Sequence, residues 1–166
     1  IGYQAVGVSP IRPNWSGLVP VPGDGRYEWD GYLPIEDLPH VFNPEADYFA
    51  TANNFMVPEN YGYMNALHYT WGDEMRAVRL AEVLGSGRRH TLVDMMQLQH
   101  DELSVPARNL VPLLDGVTIT DSRIAEVRRK LLDWDFVLDQ RSTEAAIYVA
   151  WERQLLDRVK KLFVPQ

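Results

Sequence analysis

Tyr48-Phe49-Ala50-Thr51-Ala52-Asn53-Asn54 is the stretch on which the reading of this chain turns. In an extended conformation Phe49, Thr51 and Asn53 face one side, and Tyr48, Ala50 and Ala52 the other. Small, β-compatible residues then run into two adjacent amides. A carboxamide donates through NH2 and accepts through C=O without changing charge, so a strand ending in Asn can hold a fixed donor at a sheet edge. The ordinary reading of such a pair differs. Asn tolerates left-handed backbone and caps backbone groups, so both residues can simply open the following turn. Spacing alone leaves both readings open.

Working outward towards the N-terminus, Asn43-Pro44 turns the chain into this stretch. Before it, Ile35–Leu38 fits a single helical turn between Pro34 and Pro39. Residues 1–8 alternate as a strand, which Pro10 and Pro13 end. Gly17–Gly25 carries Pro20 and Pro22, which remove backbone donors and favour an ordered extended loop. Residues 1–57 therefore read as an extended or β part.

Towards the C-terminus, residues 72–166 read as mainly helical. Gly72 or Asp73 can open a helix through Met75 and Leu84, with Gly85 as its stop. Thr91 and Asp94 form a capping-box pattern, Ser104 with Pro106 starts a short helix reaching about Leu114, and Asp121 caps another. Ser142 or Thr143 opens the longest helix, with Ile147, Trp151, Leu155, Val159 and Leu162 on one face. Strands followed by helices make an α+β order of elements.

Composition narrows the function classes. The 166 residues suffice for a real core, and 46% hydrophobic with 23% charged residues is an ordinary globular mixture. The absence of cysteine excludes disulfides, thiolate nucleophiles and Cys-based metal sites. A net charge of −7 argues against a general nucleic-acid binder, and no apolar run is long enough for a membrane span. The charge is uneven. Residues 1–75 hold ten acidic side chains but only Arg12 and Arg26 as cations, and the next cation is Arg76.

Arg76 sits on the opening turns of the helix that follows Asn53, and it shares a face with Arg79. A surface ion pair is its default role. A planar, permanently charged guanidinium can also grip the Asn53 side-chain oxygen, which forces the amide NH2 to face the other way. The four histidines do not converge three ligands: Thr91 as a cap leaves His90 off the face of Asp94, and His40 and His68 read as packing or surface residues. Leu84-Gly85-Ser86-Gly87-Arg88 is a helix-ending turn, so no nucleophile elbow is present. Trp15, Tyr27, Trp29 and Tyr32 fit either core packing or a sugar- or acyl-binding surface.

Taken in order, Leu18–Gly23, Trp29–Pro34, Leu38-Pro39, Asn43-Pro44, Ala50–Asn54 and Trp71–Arg76 with Arg79 resemble the penicillin acylase (penicillin amidase) family of N-terminal-nucleophile hydrolases. The resemblance implies an αββα sandwich made from two chains cut from one precursor. It implies hydrolysis of N-acyl amides through an acyl-enzyme, with Asn53 as oxyanion donor and Arg76 as the residue that orients it. It favours the donor reading of Asn53 and leaves Asn54 as a turn residue. A structural calcium is implied as well, at the Gly17 carbonyl and at Asn65, which stands where a carboxylate is expected. Location in the periplasm or outside the cell follows in the same way.

The family nucleophile is the first residue of the larger chain, usually Ser. This chain opens with Ile1, which has no hydroxyl, so the nucleophile is expected in other segments of the precursor and this chain alone is expected to be inactive. Two further readings stand beside this one. The chain can be a binding or scaffold module without chemistry, or an acylase of the same family acting on acyl-homoserine lactones or lipopeptides.

Overall fold

The structure, a computed structural model, describes residues 1–67 and 70–164. His68 lies outside the described residues. The chain forms two compact units, Ile1–Arg89 and His90–Gln166. Helices and one small antiparallel sheet together give an α+β structure.

In the first unit, β1 (Gly2–Gln4) pairs with β2 (His40–Phe42), placing Tyr3 opposite Val41. The expected strand over 1–8 is shortened to three residues. The Ala5 amide still reaches the Pro39 carbonyl at 2.8 Å, but Gly7 then takes a φ of +139° and the ladder stops. Residues 9–12 resume irregular pairing with 30–33 through Ile11 to Gly31, Asp30 to Ile11 and Leu33 to Ser9. One helical turn follows at Ile35–Asp37, directly after Pro34 as its sequence implies. Leu33, Leu38 and Ala66 form a small buried cluster, with Ala5 and Ile11 against it. The unit closes with α1 (Met75–Leu84), whose first amide bonds to the Asp73 carboxylate at 3.1 Å and whose C-cap is Gly85.

The stretch 48–53 joins no ladder among the described residues and bends at Ala52–Asn54, which corrects the reading of it as a strand. Positive φ values at Asn43 (46°) and Asp47 (60°) swing the chain away from β2, and Asn53 (63°) bends it again. Left-handed backbone at Asp47 and Asn53 bounds the stretch at both ends. Asn and Asp are the side chains that take this conformation at least cost.

The second unit is helical: α2 (Leu92–Gln99), α3 (Val105–Leu110), α4 (Ser122–Leu132) and α5 (Thr143–Phe163). Four polar side chains start them. Thr91 and Asp94 complete a reciprocal capping box, Ser104 accepts from the Ala107 amide, Asp121 from Arg123 and Ile124, and Ser142 from Ala145. Each cap satisfies amides that have no partner inside the helix, a contribution of about 1 kcal/mol. Pro112 tightens the chain after α3 into a 3-10 turn over Val111–Gly116, so the helix ends at Leu110 and not near Leu114. The core gathers Ala107, Val111, Leu131, Trp134, Ala145 and Tyr148.

Candidate active site

Asn53 is held from three directions within the first unit. Before it, the Phe49 ring stacks on Tyr3 of β1 with centroids 4.3 Å apart, and the Tyr3 hydroxyl points to Met56 Sδ at 3.6 Å. After it, Phe55 meets Trp71 edge to face at 5.2 Å. Between them, the Gly72 amide donates to the Asn53 carbonyl at 2.8 Å. Gly72 makes this close approach comfortable: a Cβ would stand 3.0 Å from that carbonyl oxygen and 3.4 Å from Asn53 Cβ, so Asn53 would have to give by a few tenths of an ångström. Two aromatic contacts and one tight backbone contact therefore define where the side chain starts.

Arg76 defines where it points. One guanidinium nitrogen, Nη2, donates to Asn53 Oδ1 at 2.9 Å and to the Ala52 carbonyl at 2.9 Å. Because guanidinium carries donors only, the group facing it must be the amide oxygen. Reversing the amide would set donors against donors and lose a charge-assisted bond of about 1.5–3 kcal/mol. Nδ2 is thereby turned outward, and it has no partner among the described residues. Asn53 is exposed, so its NH2 can be approached. The neighbouring amide does something else: Asn54 Oδ1 accepts from the Ala52 amide and its Nδ2 bonds the Phe55 carbonyl. Asn54 is a turn residue.

Arg79 shares the helix with Arg76 but forms an ion pair with Glu82 at 3.5 Å, which keeps it out of this arrangement. Close by in the fold, Tyr3, Phe49, Met56, Val57, Leu38 and Tyr61 line an apolar hollow of about 360 Å³. The Tyr61 hydroxyl donates to the Asp37 carbonyl at 2.6 Å, and burial first, then the Asp37 charge, push its pKa up.

The calcium candidates Gly17 and Asn65 both pack on Arg12. The Arg12 amide donates to the Asn65 carbonyl at 3.0 Å, and a Cβ on Gly17 would stand 3.6 Å from Arg12 Cδ. The Arg12 side chain therefore passes Gly17 and ends on the Leu67 carbonyl, two residues after Asn65. Among the described residues, no group of three or more His, Asp or Glu side chains is placed to hold a metal. His40 Nδ1 donates to the Leu38 carbonyl, and His90 has both ring nitrogens buried without a partner. The four aromatics do not gather: Trp29 and Tyr32 touch edge to face but are each 56% exposed, and Arg26 stacks on Tyr27. Trp29 and Tyr32 are therefore surface residues in this chain, whereas Trp15 and Tyr27 are half-buried.

Sequence reasoning used Gly72 only as a possible helix start, and missed Tyr3 and Arg12. Arg12 left one visible trace, as one of only two cations in the first 75 residues.

The sequence that builds this arrangement matches the penicillin amidase family profile over residues 1–164. The chain belongs to that family. It is 30% identical over 181 aligned positions to the acyl-homoserine lactone acylase QuiP of Pseudomonas fluorescens (strain Pf0-1), covering all of this chain and 21% of that protein. It is 32% identical to the penicillin acylase 2 proenzyme of Pseudomonas sp. (strain SE83), covering 93% of this chain and 20% of that one. Its fold matches the thermostable penicillin G acylase of Alcaligenes faecalis with a TM-score of 0.74 at 23% identity, covering 99% of this chain and 31% of that chain. The chain thus spans only 20–21% of these two acylase relatives. No described helix is long and apolar enough to cross a membrane.

Proposed function

We propose that this chain supplies the side-chain half of an oxyanion hole to an enzyme that hydrolyses N-acyl amides. The observation that carries the reading is the Arg76–Asn53 contact, which leaves Asn53 Nδ2 unpartnered and outward-facing. Attack on an acyl carbonyl moves negative charge onto its oxygen. A preoriented N–H donor meets that charge without having to reorganise. Arg76 strengthens the donor by polarising the amide and by removing its freedom to flip. The free-energy scale then sets a condition. A unit charge pair at 4 Å is worth about 1 kcal/mol in water and about 4 kcal/mol at an effective dielectric constant near 20. Asn53 and Arg76 are exposed in this chain, so the larger figure requires cover from another segment.

In this reading the remaining segments of one precursor complete the site as part of an αββα sandwich. They provide the N-terminal nucleophile, the backbone oxyanion donor and most of the acyl pocket. This chain alone is inactive, and residues 1–166 act as a single piece of the catalytic chain. The substrate is an N-acyl amide. Similarity along the whole of this chain to 21% of an acyl-homoserine lactone acylase supports that lactone class alongside penicillin-like amides. A location in the periplasm or outside the cell belongs to the same proposal.

The test uses the full-length protein carrying this chain. Asn53→Ala is expected to lower the acylation rate by roughly two to three orders of magnitude, equivalent to about 2.7–4 kcal/mol, with folding retained. Near-normal turnover of chromogenic aryl-acyl amides in that variant defeats the assignment. Comparing acyl-homoserine lactones of different chain length with penicillin-type amides then decides the substrate class.

A further inference from the structure

The turn over Met64–Ala66 ends with three carbonyls in succession, those of Asn65, Ala66 and Leu67. Among the described residues the turn's own hydrogen bonds use the carbonyls of Tyr63 and Met64 and none of these three. Clustered backbone oxygens at the end of a helical turn are the kind of site a hard cation occupies, because calcium takes roughly 6–8 oxygen ligands. Here all three are taken by donors from one neighbouring segment. The Arg12 amide bonds Asn65, the Ser9 hydroxyl bonds Ala66, and Arg12 Nη2 bonds Leu67. The Arg12 stem runs past Gly17, where even a Cβ would stand at ordinary contact distance of 3.6–3.7 Å; it is the φ of +78° that suits glycine there. Arg12 itself is fixed by the pairing of Ile11 with Gly31 and Asp30.

We propose that Arg12 is a built-in substitute for a structural cation: its guanidinium ties the 9–17 segment to the carbonyls of the 64–67 turn, and this site is held without calcium. The charge needed at the carbonyls comes covalently attached to the chain. A second, divalent charge at the same place would be repelled by it. Arg12 Nε is buried beside Gly17 without a partner, which also fits a group wedged in by its position and not drawn there by a carboxylate. This inference does not depend on the oxyanion reading, since neither Asn53 nor Arg76 enters it.

Thermal unfolding of the full-length protein, in excess chelator and in millimolar calcium, tests the proposal for the parent and for Asn65→Ala. Calcium is expected to change the Tm of both proteins equally. A stabilisation by calcium that is present in the parent and lost in Asn65→Ala would overturn it. Arg12→Met is expected to lower Tm by about 2–4 °C whether or not calcium is present, and Arg12→Lys, which keeps the charge, to recover part of the loss. An Arg12→Met protein as stable as the parent, or a Lys variant no better than Met, also overturns it.

Discussion

The two units of this chain are specified in different ways. In His90–Gln166, four helices begin at capping side chains, and three of them, α3, α4 and α5, contribute to a core around Tyr148, which is 1% exposed. In Ile1–Arg89, regular structure is scarce, and the chain path is set by side chains that grip distant backbone: Ser9 and Arg12 on the 65–67 carbonyls, Tyr61 on Asp37, and Arg76 on Ala52. The contrast teaches where each kind of job sits. Local signals can build a packed helical body. A donor that must point in one direction has to be fixed by contacts between residues far apart in sequence.

Several measurements on the full-length protein can break or sharpen that contrast. The largest effect expected in the helical unit is from Tyr148→Ala, which removes the centre of the core and should cost about 3–5 kcal/mol in urea denaturation. A loss below about 1 kcal/mol would mean that the caps, not the core, hold the unit together. In the other unit the largest effect falls on catalysis. Asn53→Gly, which accepts the φ of 63° without strain, should lose turnover as fully as Asn53→Ala while staying the more stable of the two. If Asn53→Gly were active, the side chain would be serving the turn and not the reaction. Gly72→Ala should then reduce turnover about tenfold with little change in Tm, because its Cβ pushes Asn53 by a few tenths of an ångström. Unchanged kinetics would show that the donor position is softer than these contacts imply.

Smaller effects follow. Thr91→Ala and Ser142→Ala should each cost about 1 kcal/mol of stability and leave turnover alone. Alkaline pH should act mainly through Tyr148. Burial first, then its 2.5 Å hydrogen bond to Glu152 and that group's charge, raise its pKa well above the ordinary 10.0. The fold therefore favours the neutral hydroxyl. The stability this lends is fully present below pH 10 and is lost as pH climbs beyond it, and a Tyr148→Phe protein should show a shallower alkaline decline in Tm.

Much of the helical unit was legible in advance. Thr91, Ser104, Asp121 and Ser142 cap the helices their positions suggested, because a cap bonds amides only two or three residues away. The composition change near residue 72 is visible too, yet compactness divides the chain after Arg89. The reason is α1, which Gly72 and Arg76 fasten to the Asn53 bend. The stretch at 48–53, expected as a strand, joins no ladder among the described residues, and the positive φ at Asn43, Asp47 and Asn53 cannot be read from a run of β-compatible residues.

By itself the amino-acid order determined the helix starts, the motif series shared with the penicillin amidase family, and the identity of Asn53 and Arg76 as a possible pair. Only the tertiary structure decided that Arg76 takes the Asn53 oxygen while Arg79 pairs with Glu82, that Asn54 uses its amide in the turn, and that the Arg12 guanidinium ends on the Leu67 carbonyl. The physical reason is range. Capping and periodicity act within a turn or two of helix, whereas the direction of one carboxamide depends on a guanidinium 23 residues away and on which competing acceptors the fold brings within reach.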